Sequence, residues 1–194
     1  MQGGHQHAAG PVVGGTQYEV DCIVYGTGFE AEVTPLQRRA GHEIVGRGGV
    51  TLAEKWADGA ASLFGMTSSG FPNMFVMPAP GQQSVVTVNY TQIAVLGAEF
   101  IAGTIAALDQ RGTRIFDVDA AAEADWIQQI VDTYVDPSAV MSACTPSRLN
   151  NEGDPGAIRA RDTNYGRGFG DYFGYRDLLE KWLASGEFEG LTLQ

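Results

Sequence analysis

The sequence predicts an α/β fold in which a few buried parallel strands carry one long helix and a tail rich in aromatic residues and glycine. Three observations predict it. The run Val20-Asp21-Cys22-Ile23-Val24-Tyr25 places five apolar or aromatic side chains in six positions. That is too continuous for a strand with one face in water and suits a parallel strand covered on both faces. The run enters Gly26-Thr27-Gly28 directly, a tight turn where the backbone can approach a ligand closely. Between Val88 and Leu108, the residues Ile93, Leu96, Phe100, Ile101, Thr104, Ile105 and Leu108 recur at three- and four-residue steps, which gives a helix with one apolar face. Finally, Gly166, Gly168, Gly170 and Gly174 alternate with Tyr165, Phe169, Tyr172, Phe173 and Tyr175, a mixture suited to draping over another surface.

Taken in order, residues 1–15 are rich in Gly, His and small side chains and are expected to form a flexible leader, with Gly14-Gly15 as a turn before the strand. His5 and His7 form an i, i+2 pair with nothing nearby to complete a metal shell, so no metal site is expected. A polar connection containing Gly46-Arg47-Gly48-Gly49 leads to Thr51-Leu52-Ala53-Glu54, whose spacing is that of a capping box opening a short helix through Lys55 and Trp56. Gly70-Phe71-Pro72-Asn73-Met74-Phe75-Val76-Met77-Pro78 reads as a turn and a brief apolar strand, closed by Pro78, Pro80 and Gly81. In the long helix, Ala94, Gly97, Ala98, Ala102 and Ala106 permit close packing on the sheet. Asp119 is placed to N-cap a second helix that carries Glu123 and Asp125 early, buries Trp126, Ile130 and Tyr134, and ends at Asp136-Pro137. From Ser138 to Tyr175 the chain is loop-like, with a turn cluster from Asn150 to Gly156. A last helix from Arg176 to Ser185 presents Leu178, Leu179, Trp182 and Leu183 and stops at Gly186. The organisation is therefore a leader (1–15), an α/β body (16–135) and a loop-rich tail with a final helix (136–194).

Bulk properties narrow the function. Twelve basic against 23 acidic residues give a net charge of −11, which argues against a nucleic-acid surface or a polybasic membrane patch. Cys22 and Cys144 are far apart without metal spacing and read as plain thiols in a reducing compartment. The first residues lack the basic and apolar regions of a signal peptide, and no later run is expected to span a bilayer, so a cytoplasmic protein is the default.

Chemistry is concentrated at two turns. The Gly26-Thr27-Gly28 turn reads either as backbone amides set against a dinucleotide or as a tight strand exit with no ligand. The loop from Ala79 to Tyr90 delivers its amides to the start of the long helix, and helix N-termini favour anionic or electron-rich groups. His42 and Glu43 with Asp58, and Asp117 and Asp119 with Glu123 and Asp125, read as solvated loop and helix-start residues rather than as acid/base or cation sites.

Three segments carry a family resemblance: Asp21-Cys22-Ile23-Val24-Tyr25-Gly26-Thr27-Gly28-Phe29-Glu30, Gly70-Phe71-Pro72-Asn73-Met74-Phe75, and Gly81 through Ser84 to Asn89. Together they resemble flavin-dependent monooxygenases of the Baeyer–Villiger type and their N-hydroxylating relatives. Ser142-Ala143-Cys144-Thr145-Pro146-Ser147, Asn150-Asn151-Glu152-Gly153 and the ending from Trp182 to Leu191 resemble one branch of that family. The Trp usual in the middle of that loop has no counterpart between Ala143 and Asn151.

The resemblance implies the C-terminal part of a flavoprotein with two dinucleotide-binding domains, incomplete as a domain. Residues 16–135 would then be the end of the FAD-binding domain and 136–194 a substrate-side segment. It implies flavin contact at Gly26, Thr27, Gly28, Val88, Asn89 and Tyr90, with FAD and NADPH as cofactors and a small ketone or heteroatom compound as substrate. The phosphate-binding Gly-x-Gly-x-x-Gly motif does not occur, nor does the family's Phe-x-Gly-x-x-x-His-x-x-x-Trp fingerprint. The catalytic arginine is expected outside this chain, so no residue here is assigned a catalytic role. Weak or absent cofactor binding is expected of the chain alone, with a complementary N-terminal chain or self-association as partner. The alternative is a noncatalytic fragment or interaction module derived from such an enzyme.

Overall fold

Val20 to Tyr25 form no strand and stand in solvent in the computed structural model, which describes residues 5–7, 10–26, 40–79, 82–85, 89–147, 150, 153, 159–167 and 170–194. The chain divides into two compact units, Met1–Ala31 and Glu32–Gln194.

In the first unit, β1 (His5–His7), β2 (Gly10–Val13) and β3 (Thr16–Gln17) form an antiparallel sheet in chain order, with Val12 opposite both His5 and Gln17. The expected leader is therefore a small sheet. Gly14 and Gly15 join β2 to β3, both at positive φ (57° and 82°), the backbone that a two-residue hairpin of right-handed twist requires. Beyond β3 the apolar run is exposed: Val20, Ile23, Val24 and Tyr25 all reach solvent, Val24 to 86%. A parallel strand needs neighbours in its plane and cover on both faces. The described residues of this unit provide only the small antiparallel sheet.

The described part of the second unit includes a 3₁₀ turn, Arg47–Gly49, and α1, Leu52–Lys55. The capping box forms as expected, the Glu54 amide donating to Thr51 Oγ1 at 3.1 Å and the Thr51 amide to Glu54 Oε2 at 2.8 Å. These bonds hold the Glu54 carboxyl below its ordinary range. The long helix, α2, spans Tyr90–Gln110 with Asn89 as N-cap. After β4 (Phe116–Val118) comes α3 (Ala120–Thr133), capped by Asp119 as expected, and then the short α4 (Ser138–Met141). A 3₁₀ turn at Ala160–Asp162 precedes α5, Tyr172–Ser185. This helix starts four residues before the expected Arg176 because Asp171 caps it, accepting from the Gly174 amide at 3.0 Å. It stops at Gly186, which takes the left-handed conformation. The last strand, β5 (Leu191–Leu193), pairs antiparallel with β4, Phe116 opposite Leu193.

Every strand pair among the described residues is thus antiparallel, and the few parallel strands expected from the sequence are absent from them. The expected strand after Gly70 is also irregular. Residues 74–78 form no strand and are held by single bonds, such as the Val76 amide to Met66 O at 2.7 Å.

The core lies where α2, α3 and α5 converge on the turn Leu63–Met66. Phe64 is central, its ring 5.2 Å from Trp126, 5.6 Å from Trp182 and 6.0 Å from Phe100, all edge-on, the geometry aromatic quadrupoles prefer. Its φ of 57° is unfavourable for a bulky residue. The rings around it and a 2.6 Å bond from Tyr175 Oη to its carbonyl hold it there. A satellite cluster joins Leu108, Phe116 and Phe188 to Phe75, Leu183 and Leu193.

The small residues of α2 do not serve a sheet. A Cβ on Gly97 would lie 2.5 Å from Pro78 and one on Gly103 2.6 Å from Leu183, so these two permit close approach to a connection and to α5. Ala98, Ala102 and Ala106 face solvent. At 21 residues, with a mean hydropathy of 1.5 over its most apolar stretch, α2 does reach the length and apolarity that cross a bilayer, contrary to the sequence expectation. Its buried residues are Ile93, Leu96, Gly97, Phe100, Thr104 and Leu108, of which Ile93, Leu96 and Phe100 belong to the main core cluster.

Candidate functional site

Of the six residues assigned to a cofactor, three are described. Thr27, Gly28 and Val88 lie outside the described residues. Gly26 belongs to the first unit, exposed, with open space where a side chain would stand. Asn89 and Tyr90 form the start of α2 in the second unit. Asn89 Oδ1 accepts from the Thr91 amide at 2.9 Å, the ordinary capping bond. Tyr90 is half exposed and its Oη donates to Pro78 O at 3.3 Å.

The loop before this helix is far more constrained. Gln83, Ser84 and Val85 are fully buried. Gln83 has φ 62°, and its Oε1 accepts from the Ser62 amide at 3.1 Å and the Ser62 hydroxyl at 2.7 Å. Its Nε2 donates to Ala60 O at 2.7 Å and Arg161 O at 3.1 Å. The Gln83 amide donates to Thr163 O, and its carbonyl accepts from Trp126 Nε1 at 3.2 Å. Next to it, Gln82 Oε1 is buried and meets no donor among the described residues.

The tail closes over this loop. Asp162 accepts from the Ala60 amide at 2.8 Å and pairs with Arg159 at 2.7 Å, while Arg159 also donates to Ala57 O. The Tyr165 amide donates to Ser84 O at 2.5 Å, and the Tyr165 ring stacks on Trp126 at 5.2 Å. The helix start itself lines an open groove of about 230 Å³ between α2 and α5, where Asn89 and Gln92 face Tyr172, Arg176 and Glu180. Arg176 sits 2.8 Å from Asp177 and 3.5 Å from Glu180, and the Asp177 bond raises its already high pKa.

Two acidic residues read as solvated are structural clamps. Glu123 is 6% exposed. Its carboxylate accepts from Ser68 Oγ, the Ser69 amide and the Ser69 hydroxyl, and pairs with Lys55 Nζ at 2.8 Å. Asp117 accepts from the Gly70 and Val118 amides and pairs with Arg47 at 3.1 Å. Both close on the turn at 68–70: Glu123 from the first turn of α3 and Asp117 from β4 meet its amides or hydroxyls and each gains a cation, which offsets the cost of withdrawing a carboxylate from water. His42 is exposed, its ring 3.0 Å from Ala40 O. Among the described residues no group of three His, Cys, Asp or Glu is placed to hold a metal ion.

Sequence reasoning found the helix start and missed Gln83. Nothing in Gln82-Gln83-Ser84 marks one glutamine as a buried joint, because its partners come from segments remote in sequence.

This geometry fits one edge of a flavin ring rather than a whole dinucleotide site. An exposed helix start offers Asn89, Tyr90 and the dipole to an electron-rich ring edge, and Gln82 Oε1 is an acceptor that a further donor would satisfy. No phosphate cradle accompanies them among the described residues.

Comparison with known proteins finds similarity to flavin monooxygenases. The chain is 36% identical over 190 residues to pentalenolactone D synthase of Streptomyces arenae, covering 96% of this chain and 31% of that protein. It is 33% identical to Baeyer-Villiger monooxygenase 4 of Dietzia sp. strain D5, covering 96% of this chain and 29% of that one. Among solved structures, the polycyclic ketone monooxygenase of Thermothelomyces thermophila superposes with a TM-score of 0.78 at 32% identity, over 97% of this chain and 30% of that one. Oxidised steroid monooxygenase bound to NADP gives 0.71 at 32% identity, over 97% and 32%. No family model matches. The chain spans about a third of the length of the curated relatives it matches, and the part it matches is their C-terminal portion.

Proposed function

We propose that this chain, a homologue of the C-terminal portion of Baeyer–Villiger and related flavin monooxygenases, supplies one wall of the flavin and substrate site of an FAD- and NADPH-dependent monooxygenase. The observation that carries the reading is the start of α2. Exposed Asn89 and Tyr90 sit at the positive end of a 21-residue helix, on a loop that burial and hydrogen bonds fix. When bound, FAD reduced by NADPH would supply the electrons with which O₂ delivers one oxygen atom to a ketone or heteroatom. Asn89, Tyr90 and the amides of the first turn would hold the ring edge and stabilise negative charge on it. Gly26, Thr27, Gly28 and Val88 are assigned to flavin contact by resemblance alone. The tail over the loop would exclude water from the substrate side. The relatives named for polycyclic ketone and steroid oxidation support a carbonyl compound of that size as substrate.

One wall does not make a site, so the chain alone is expected to bind FAD weakly and to turn over nothing. The exposed apolar side chains Val20, Ile23, Val24 and Tyr25 favour completion by a complementary N-terminal chain or by self-association. They favour equally the second reading, a noncatalytic fragment or interaction module. The decisive experiment is an absorbance and fluorescence titration with FAD, alone and with a co-expressed segment carrying the Gly-x-Gly-x-x-Gly half. Flavin retained only with that segment, together with ketone-dependent NADPH oxidation, supports the first reading. Stoichiometric FAD and full activity in the isolated chain would overturn the one-wall picture, and no flavin under either condition would leave the noncatalytic module.

A further inference from the structure

We infer that Gln83 is a positioning residue. Its buried amide is the joint through which tail residues 159–165 fix the loop 82–85 and hence the entry to α2, and the inference rests on the flavin reading for what that entry contacts. Glutamine is rarely buried completely, yet Gln83 is at 0% exposure in a left-handed backbone. Both ends of its side chain are used twice, on Ser62 at the acceptor end and on the Ala60 and Arg161 carbonyls at the donor end. Its main chain bonds Thr163 and Trp126. The partners come from three segments, 60–62, 161–163 and α3. No apolar residue joins them, and glutamate would accept from Ser62 but place a carboxylate against two carbonyls. A fully satisfied buried polar cluster rigidifies one arrangement.

The direction of coupling follows from who touches whom. Asp162 and Arg159 anchor the tail on Ala57 and Ala60 without touching residues 82–85. Gln83 bonds the tail through its side chain and its main chain and bonds Ala60 as well, and the Tyr165 amide bonds Ser84 O, so displacement of the tail reaches the loop 82–85; Ser84 Oγ on Ala79 O and Tyr90 Oη on the neighbouring Pro78 O then tie that loop to the helix entry. A flavin placed against Asn89 and Tyr90 therefore depends on where the tail lies.

The test is hydrogen exchange on the full chain for wild type, Gln83→Glu and Asp162→Ala, with FAD titration as a separate arm. Gln83→Glu is expected to speed exchange of amides 82–85 and the first turn of α2 by about tenfold, as for the loss of one or two buried hydrogen bonds. Asp162→Ala, which touches none of those residues, should raise the same amides by about threefold, with α3 and the second half of α2 unchanged. Unchanged exchange at the helix entry in Asp162→Ala, or a uniform rise across the chain, would overturn the inference. The second variant keeps it testable where Gln83→Glu fails to fold. In the other arm, weaker FAD binding by Asp162→Ala supports the link to the cofactor. A wild type that binds no FAD even when completed overturns the flavin reading while leaving the exchange result standing.

Discussion

Two largely apolar segments meet opposite fates. Leu63-Phe64-Gly65-Met66 is buried at the centre of a ring of aromatic residues, whereas Val20 to Tyr25 lies in solvent. Local propensity does not separate them, since the run at 20–25 is the better strand former. Partners separate them. Phe64 has Phe100, Trp126, Trp182 and Tyr175 around it, all supplied by helices of the same unit. Among the described residues, the helical unit covers its own centre, and the first unit leaves this run exposed.

The contrast predicts its own largest effect. Trp126 is 4% exposed, packs on Phe64 and Tyr165, and satisfies the Gln83 carbonyl. Trp126→Ala should cost about 3–5 kcal/mol in urea unfolding, through the cavity and the orphaned carbonyl together. A loss below about 1 kcal/mol, the level of an ordinary surface change, would mean the aromatic centre is not the core.

A smaller effect carries a pH signature. Tyr175 is fully buried with its hydroxyl on Phe64 O, and burial pushes its phenol well above the ordinary value of 10. A folded-state pKa raised above the unfolded value gives a contribution fully present below pH 10 and lost as the pH rises past it, by about 1.4 kcal/mol per unit. Tyr175→Phe should therefore cost about 1–2 kcal/mol at pH 8 and progressively less above pH 10. A wild-type to variant difference that stays flat between pH 8 and 11 would mean the hydroxyl reaches water.

The same contrast explains how much was legible. Local grammar was readable: the capping box at Thr51 and Glu54, the cap at Asp119, the period of α2 and the stop at Gly186 all formed. Pairing was not. A continuous apolar run cannot say whether its neighbours are in the chain, so the sequence reads as a buried strand from Val20 and as a brief apolar strand between Gly70 and Pro78. The charge pattern also misled, because Glu123 and Asp117 share their spacing with solvated helix starts, and only the fold brings Lys55 and Arg47 to them. Of the candidate site, the helix start was legible and the Gln83 joint was not, since a joint is defined by distant segments.

The smallest effect on stability tests the comparison most sharply. Val24 is 86% exposed, so Val24→Ser should change unfolding by no more than about 0.5 kcal/mol. Yet an exposed run of β-branched and aromatic side chains is the kind of surface that recruits another chain. The serine variant is therefore expected to sediment with less self-association than wild type at equal concentration, and to be completed less well by a complementary segment if that segment covers the run. A cost of 2 kcal/mol or more with no change in association would place Val24 in a core. The two segments would then differ only in position along the chain, and the division between a covered centre and an exposed run would fall.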